Sequence, residues 1–312
     1  MKVAVTGGSG VVGSAVVRHL VAAGHEVRAL TRSTAAGATV AALGANPVPG
    51  DVLDSGSLVD LVSDCSRVFH MAGINELCTR DPKRMWDVNV EGTRLVVNAC
   101  RRSGVERMIL TSSAVTLGEH NPYLSEYELT KTEGEKLAFA EARGLDVVAV
   151  NPSSVQGPGR ATGTGALILN AARGKLRYLV DTTISLVDIN DCARGHLLAA
   201  DHGEPGERYV LSGATISIPD AVDLLNEITE GTLQPRYLPV WQLRALGMLG
   251  EIVGKVLRRR PPLCRETARV ISAGHAYDGS GATKDLGVKY TPIRQTIEET
   301  IEWFRFEGLL AV

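Results

Sequence analysis

A tyrosine and a lysine stand four residues apart in TSSAVTLGEHNPYLSEYELTK, residues 111–131, with two serines upstream. A phenol has a pKa of about 10 and is a poor acid at neutral pH, but a cation one helical turn away lowers that pKa. Lys131 can therefore activate Tyr127 for proton transfer. Either Ser112 or Ser113 can hold a substrate oxygen, because neighbouring strand residues face opposite sides. Tyr-x-x-x-Lys also occurs by chance on surface helices, so the surrounding elements must decide.

A glycine-rich turn, TGGSGVVG at residues 6–13, follows the first predicted strand. Gly7 permits a tight turn, Gly10 lets the backbone approach an anion, and Gly13 allows a helix to pack closely on a strand. Backbone N–H groups and the positive helix end would then hold a pyrophosphate. The triplet alone is also typical of an ordinary strand-to-helix turn, and its GxxGxxG spacing differs from GxGxxG. Its place within a βαβ run predicts a dinucleotide-binding site.

The second predicted strand ends at Leu30, Thr31, Arg32 and Ser33. An NAD-binding protein usually places a carboxylate here for the ribose hydroxyls, and this chain has none. Arg32 could instead pair with a 2′-phosphate and stack on adenine. The sequence therefore favours NADP, with NAD possible and an ordinary solvent-exposed arginine as the alternative interpretation.

The elements that would position these residues alternate between strand and helix. Strands are predicted at 2–6, 25–31, 46–51, 66–73, 105–113 and 145–154, with helices between them that include 82–103 and 125–143. Such alternation implies right-handed βαβ crossovers and predicts an α/β fold, a Rossmann-type doubly wound parallel sheet. Residues 1–155 would form this NAD(P)-binding domain. Residues 156–312, rich in Gly and Pro breaks, would form mainly a smaller α+β substrate lobe, with elements returning to the sheet.

Composition excludes several classes of function. The net charge of −2 gives no reason to expect nucleic acid as a partner. The five cysteines, at 65, 78, 100, 192 and 264, are odd in number and form no CxxC pair. We therefore expect reduced thiols in a cytoplasmic protein, without a disulfide framework or a metal site. No run of 18 apolar residues occurs, so no integral membrane span is predicted.

The segment WQLRALGMLGEIVGKVLRRR, residues 241–260, is amphipathic and ends in three arginines. It could lie on a membrane surface. We favour a helix of the substrate lobe, because a solvated basic C-terminus suits the helix dipole.

The motifs in their order resemble those of the extended short-chain dehydrogenases/reductases, within the NAD-dependent epimerase/dehydratase family. TGGSGVVG, GDVLD, FHMAG, NVEGTRLVVNAC, TSSAV, YELTK and NPSSVQGPG carry the resemblance from residue 1 to about residue 310. VRALTRS, LVDINDCARGHLLA and GERYVLSG are most similar to dihydroflavonol-4-reductase-like and hopanoid-associated sugar epimerase-like proteins. The resemblance implies a catalytic set of Ser113, Tyr127 and Lys131, with Asn89 supporting the lysine.

The expected nucleotide site combines the glycine turn, the ends of the strands and the segment after 151. Asp51 and Val52 would meet the adenine, and Pro152 to Val155 would line the nicotinamide. Lys131 would also hold the nicotinamide ribose. The expected cofactor-binding residues are Thr6, Gly7, Gly10, Val11, Val12, Gly13, Thr31, Arg32, Ser33, Asp51, Val52, Met71, Ala72, Gly73, Thr111, Tyr127, Lys131, Pro152, Ser153, Ser154 and Val155.

Two departures from the family pattern bear on the substrate. Only 14 positions separate Ser113 from Tyr127, which predicts a more open site. Tyr123 in this loop could cover the substrate or be an ordinary surface residue. Relatives that bind nucleotide sugars usually carry an arginine near the place of Ile184, although Arg173, Lys175 and Arg177 are near in sequence.

Three functions remain open at this point. The first is NADPH-dependent reduction of a ketone or aldehyde, favoured by a glycine-lined, rather apolar segment at 161–168. The second is a nucleotide-sugar epimerase or dehydratase that retains and recycles NAD. The third is a noncatalytic NADP-binding regulatory protein, which an intact Ser–Tyr–Lys set weighs against. The partner of either enzyme would be a small molecule with a carbonyl or hydroxyl group, and helices 82–103 and 125–143 resemble homodimer-forming ones.

Overall fold

The computed structural model describes residues 1–118, 123–257, 259, 261 and 263–311. A seven-stranded, wholly parallel sheet forms its centre, in the order β10-β6-β5-β4-β1-β2-β3. The strands in chain order are β1 (Lys2–Thr6), β2 (Glu26–Thr31), β3 (Asn46–Pro49), β4 (Arg67–His70), β5 (Arg107–Thr111), β6 (Asp146–Pro152), β7 (Ser154–Gln156), β8 (Tyr178–Leu179), β9 (Thr183–Asp188), β10 (Arg208–Leu211), β11 (Ala214–Ser217) and β12 (Arg236–Tyr237). The predicted doubly wound sheet is confirmed.

Helices cover both faces of this sheet, with α1 and α8 on one face and α3, α5 and α6 on the other. The helices are α1 (Val11–Ala22), α2 (Thr34–Ala42), α3 (Ser55–Val62), α4 (Pro82–Trp86), α5 (Gly92–Arg102), α6 (Glu126–Ala140), α7 (Thr164–Ala172), α8 (Ile189–His202), α9 (Ile218–Thr229), α10 (Val240–Val256), α11 (Arg265–Ala273), α12 (Ser280–Leu286) and α13 (Ile293–Phe306). Because both faces are covered, the inner strands are continuous apolar runs, as parallel sheets require.

The predicted helix over 82–103 is broken by a π-helical turn at Asp87–Glu91, between α4 and α5. The hydroxyl of Thr93 donates to the carbonyl oxygen of Asn89 at 2.7 Å. Such back-bonding competes for the acceptor that a regular α-helix would give to the N–H four residues later. Single π-turns inside helices often mark functional sites, and this one carries the predicted supporting asparagine.

The predicted strand over 145–154 is two strands, because the chain leaves the central sheet at Ser153. There the backbone N–H of Ser153 donates to the carbonyl of Leu211 at 2.9 Å. β7 then pairs with β9 in a three-stranded sheet of order β11-β9-β7. β8 and β12 form a third, two-stranded sheet, and β10 joins the central sheet beside β6. The division into two domains at residue 155 stays a prediction.

The prediction that all cysteines are free thiols is wrong. Cys78, in the loop after β4, forms a disulfide with Cys264 at the start of α11, while the other three cysteines are free and buried. Sequence spacing could not reveal the pair, because 186 positions separate its members and only the tertiary fold brings them together. The two sulfurs and a Glu266 carboxylate oxygen lie within 4.8 Å of one another, but disulfide sulfurs are not the thiolates that bind metal.

Most of the amphipathic segment at 241–260 forms α10, which packs against α11, and its assignment to a substrate lobe stays a prediction. Arg258 and Arg260 lie outside the described residues. Within the part of the chain that the structure describes, no helix combines the length and apolar composition needed to cross a bilayer.

Candidate active site

Ser113, Tyr127 and Lys131 come together where β4, β5 and β6 end. Ser113 follows β5 and is 8% exposed, and its side chain lies close enough to the phenol of Tyr127, in the first turn of α6, to lower the pKa of that phenol. The Oγ atom of Ser112 is buried and has no hydrogen-bond partner among the described residues. The strand alternation therefore turns Ser113, and not Ser112, towards the tyrosine.

Burial raises the pKa of Tyr127 above its ordinary value, and the hydrogen bond from Ser113 and the charge of Arg160 partly oppose that rise. The sequence led us to expect a pKa lowered by Lys131. That expectation is wrong in this structure, because desolvation of the phenolate outweighs the favourable contacts and the cation involved is Arg160. The phenol is consequently protonated at neutral pH, the state in which it can act as an acid.

Lys131 is half-buried beneath the end of β5. Its Nζ donates to the carbonyl oxygen of Thr111 at 2.7 Å. Burial lowers the pKa of the ammonium to about 8, against a smaller opposite effect of the Glu135 charge. The lysine therefore remains mainly charged at pH 7, although its proton is less tightly held than that of a surface lysine.

Asn89 connects the segment after β4 to α6, the helix that carries Tyr127 and Lys131. Its Oδ1 accepts from the backbone N–H of Ile74 at 2.7 Å, and its Nδ2 donates to the Ile74 carbonyl and to Thr130 Oγ1, each at 3.0 Å. Thr130 directly precedes Lys131 in α6. A Cβ on Gly134 would lie 2.4 Å from the Asn89 carbonyl oxygen, so α6 reaches the π-turn only because this residue is glycine.

The glycine turn has the shape of a phosphate cradle. Gly7 has a φ of 74°, and a Cβ there would lie 2.6 Å from the backbone N of Ala72. A Cβ on Gly13 would lie 2.0 Å from the Gly7 carbonyl oxygen, which makes glycine obligatory for this packing. Gly10 precedes α1 without any side-chain cap, so the first N–H groups of the helix are left for an anion. These residues fit a dinucleotide pyrophosphate.

The end of β2 carries the groups expected at the adenosine side. Arg32 is exposed, and no acid among the described residues pairs with it. The hydroxyl of Ser33 accepts from the N–H of Ala36 as the N-cap of α2, and Thr31 is buried. Asp51 is half-buried, with Oδ1 accepting from the N–H of Leu53 at 3.0 Å.

Several predicted cofactor residues use their polar groups within the protein. Thr6 Oγ1 lies 2.7 Å from His70 Nδ1, Thr111 Oγ1 lies 2.9 Å from His196 Nε2, and Ser154 Oγ donates to Thr164 at 3.0 Å. The Ser153 hydroxyl is buried without a partner among the described residues. The remaining predicted residues are apolar side chains or glycine around the same ends of strands: Val11, Val12, Met71 and Ala72 are half-buried, Gly73 is exposed, and Val52, Pro152 and Val155 are buried.

His70 joins the nucleotide side of the site to the catalytic side. Its Nε2 lies 3.0 Å from Thr93 Oγ1, which in turn donates to the Asn89 carbonyl. Because Thr93 donates its hydroxyl proton to the Asn89 carbonyl, Thr93 Oγ1 accepts from the Nε2–H of His70. The Nδ1 atom of His70 then accepts from the hydroxyl of Thr6. Burial lowers the pKa of His70 to about 3 and that of His196 to about 4.

These two histidines predict acid sensitivity below pH 6.5. A histidine that is neutral when folded takes up its proton more readily when unfolded, so stability is full above the unfolded pKa of about 6.5. This contribution to stability is lost as the pH falls from about 6.5 towards the pKa values of the folded protein, about 3 for His70 and about 4 for His196. Each histidine should cost about 1.4 kcal/mol of unfolding free energy per pH unit within that window. Urea titrations at pH 7 and pH 5 measure the loss.

The matched variants for this experiment are His70→Gln and, as a control, His202→Gln at an exposed site on α8. His70→Gln should be less stable at pH 7 but lose less stability on acidification than the unmodified chain. His202→Gln should keep the original pH dependence. An unchanged slope in His70→Gln would contradict the assignment of the titration to this residue.

Sequence reasoning missed two charged residues near the catalytic helix. Arg160, in the loop before α7, has a buried Nε without a hydrogen-bond partner among the described residues. Glu266 in α11 accepts from the backbone N–H of Cys78 and, at 2.7 Å, from that of Glu126 next to Tyr127. The positions of Arg160 and Glu266 beside α6 depend on the packing of the C-terminal segments against the sheet. No local sequence motif predicts the position of either residue.

The structure shows the contacts of two residues expected near the substrate, Tyr123 and Arg173. The hydroxyl of Tyr123 lies 3.4 Å from both Glu133 and Lys136 on α6, as an ordinary surface tyrosine would. The shortened loop itself falls partly outside the described residues, at 119–122. Arg173 donates to the backbone carbonyl of Leu309, so this arginine is already engaged.

Comparison with known proteins agrees with this geometry. The model of the NAD dependent epimerase/dehydratase family matches residues 3–212. Sterol demethylase protein B of Methylococcus capsulatus is 32% identical over 99% of this chain and 100% of its own length. The 4-hydroxy-2-methyl-3-oxo-4-farnesyl-3,4-dihydroquinoline-1-oxide ketoreductase of Stigmatella aurantiaca is 30% identical over 92% of this chain and 91% of its own. The crystal structure of gox2253 has a TM-score of 0.86 and 31% identity over 99% of both chains.

These matches confirm the resemblance to extended short-chain dehydrogenases/reductases and the predicted enzyme class. The chain is an NAD(P)-dependent oxidoreductase with a nicotinamide cofactor. By the match over 3–212 and by relatives at 30% identity or more along nearly the whole chain, it belongs to the NAD-dependent epimerase/dehydratase family.

Proposed function

We propose that this chain reduces a ketone or aldehyde with NADPH, using Tyr127 as the proton donor. The observation that carries the proposal is the Ser113 side chain beside the half-buried phenol of Tyr127, whose pKa stays above its ordinary value. Lys131 lies one helical turn along the same helix, held by the Thr111 carbonyl. A phenol that stays protonated at neutral pH suits reduction, in which the enzyme must give a proton to the substrate oxygen.

The groups that would hold NADPH are the glycine turn and the end of β2. The backbone of Gly7 and Gly10 is accessible to the pyrophosphate, and Gly13 lets α1 pack closely against Gly7. Lys131 would bind the nicotinamide ribose. The exposed guanidinium of Arg32 would pair with the 2′-phosphate, because no carboxylate stands at that place to bind a ribose hydroxyl.

Bound NADPH would supply hydride to the carbonyl carbon. Ser113 would hydrogen-bond the substrate oxygen and fix its direction, and Tyr127 would donate its proton as negative charge develops there. The Arg160 charge favours the phenolate that is left after the transfer. Lys131, whose pKa is lowered to about 8 by burial, would return a proton to the tyrosine and recover it from solvent.

The substrate we propose is apolar around its carbonyl group. Ile184 stands where nucleotide-sugar enzymes usually have an arginine, and Arg173 is engaged by Leu309, so only Lys175 and Arg177 of the three nearby cations are left for a diphosphate. Two relatives are named for a farnesyl-bearing ketone and for sterol demethylation, which is in keeping with an apolar carbonyl compound.

An epimerase or dehydratase that recycles tightly bound NAD is the second candidate. The description of the matching family favours it, since it names both reactions. A noncatalytic NADP-binding role is weakened by the complete set of Ser113, Tyr127 and Lys131 in one cluster.

Cofactor retention distinguishes the two enzymatic candidates. We would purify the protein without added nucleotide, denature it, identify any released nucleotide by chromatography, and then follow NADPH oxidation with apolar ketones and aldehydes. We expect little nucleotide, or a trace of NADP, and net oxidation of NADPH. Stoichiometric NAD without net NADPH oxidation would overturn the reductase proposal in favour of the epimerase or dehydratase.

A homodimer through the helices of residues 82–103 and 125–143 is also a proposal, as is a cytoplasmic location. The cysteine argument for that location no longer holds, because Cys78 and Cys264 form a disulfide, a bond that is rare in the cytosol.

A further inference from the structure

Helix α10 turns a broad apolar face away from the protein. Trp241 is 68% exposed and Val256 is 76% exposed, although a helix on a globular surface normally buries such residues. From Trp241 onward, the large apolar side chains exposed along and just after this helix are Trp241, Leu246, Met248, Leu249, Ile252, Val253, Val256 and Leu257. This set, which we term the α10 apolar face, is larger than scattered single surface residues would be.

Glycines fix the orientation of this helix. Gly247, Gly250 and Gly254 face the segment that leads into α11, where an added Cβ would lie 2.8 Å, 2.1 Å and 2.9 Å from carbonyl oxygens of Cys264, Leu263 and Arg259. The backbones therefore approach closely, and a helix rotated about its axis would drive large side chains into that contact. The α10 apolar face consequently cannot turn inward without separating the two segments.

The charge around this face is strongly positive. Residues 240–273 contain seven basic and two acidic side chains, a formal charge of +5 in a chain whose net charge is −2. Glu251 pairs with Lys255 and Arg265, and the Glu266 carboxylate is held by backbone N–H groups. Arg244, Arg259 and Arg269 are exposed and have no carboxylate partner among the described residues.

We propose that α10 docks this protein on the surface of an anionic lipid bilayer. An interfacial helix of this kind lies in the plane of the headgroups, with its apolar face in the acyl boundary and its basic residues at the phosphates. At 3.6 residues per turn, Arg244 and Lys255 lie along the edge of the face marked by Trp241 and Met248. A second copy of the chain is a poorer occupant, because it would bring two regions of positive charge together.

The test uses the full chain and vesicles of phosphatidylcholine with or without phosphatidylglycerol. We expect the protein to sediment with the anionic vesicles, to be released by high salt, and to stay in solution with pure phosphatidylcholine. The double variant Leu249→Asp with Ile252→Asp should bind roughly tenfold or more weakly, because it places two charges in the acyl boundary. Its far-ultraviolet circular dichroism and melting temperature should match the original, since both side chains are exposed.

Two further variants distinguish binding by the α10 apolar face from nonspecific adsorption to vesicles. Phe306→Asp removes an apolar side chain that is 86% exposed on α13, and it should leave vesicle binding unchanged. Arg259→Glu with Arg269→Glu should remove the preference for anionic lipid. The absence of sedimentation with anionic vesicles would overturn the proposal. So would a dimer in analytical ultracentrifugation that the Leu249 and Ile252 variant dissociates, since the face would then be an interface between copies.

Discussion

Tyr127→Phe is expected to lower kcat by about 10³-fold or more while leaving NADPH affinity nearly unchanged. The variant removes the hydroxyl proposed as the proton donor, yet it keeps the half-buried ring in the first turn of α6. The measurements are the single-turnover oxidation of NADPH with saturating ketone and an NADPH binding titration.

Tyr123→Phe is the matched control for this prediction. It removes a phenol from the same approach to α6, but that hydroxyl contacts Glu133 and Lys136 on the surface. We expect near-normal turnover from it. Normal turnover in Tyr127→Phe would remove the proton-donor role, whereas equal loss in both variants would indicate a general disturbance of the helix.

Arg32→Ala is expected to weaken NADPH binding by roughly 10- to 100-fold and NADH binding by no more than about twofold, because a charge-assisted contact to the 2′-phosphate is lost only with NADPH. The guanidinium is exposed at the end of β2 and has no competing carboxylate among the described residues. Fluorescence titration of both reduced nucleotides measures the ratio of the two dissociation constants.

The control here is Arg18→Ala, which removes an exposed arginine from α1. It tests whether a lost positive charge anywhere on this domain weakens a polyanionic ligand, and we expect both affinities to be kept. Equal weakening of NADPH and NADH by Arg32→Ala would refute the 2′-phosphate role. It would leave NAD as the better assignment of the cofactor.

The parallel sheet could be read from the sequence because its inner strands are short apolar runs closed by glycine or polar turns. β1 begins and ends at the predicted residues, and the predicted ends of β2 and β5 are off by one or two positions. The predicted helix over 82–103 failed at Asn89, since its π-turn depends on Thr93 and on the close approach of Gly134. Apolar periodicity contains no signal for either contact.

Some features of the candidate site could likewise be predicted from the sequence, and others could not. The glycines near residues 7–13 follow a local motif and were predicted, whereas the spacing left Ser112 and Ser113 open and only the family resemblance favoured Ser113. The influence of Arg160 on the phenol and the disulfide of Cys78 were not predicted, because each joins segments that meet only when the smaller lobe closes over the sheet. The direction of the Tyr127 pKa shift was wrong for a related reason, since burial cannot be read from a helical spacing.

The disulfide and the two hydrogen bonds of Glu266 also set limits on motion. Together they link the start of α11, the loop after β4 and the first turn of α6, so that these three segments move together. That part of the cleft cannot swing open as a hinge while the phenol stays in place. Movement that admits substrate or releases product would then fall to other segments, such as the loop before α7, where Gly157, Gly159 and Gly163 adopt positive φ angles.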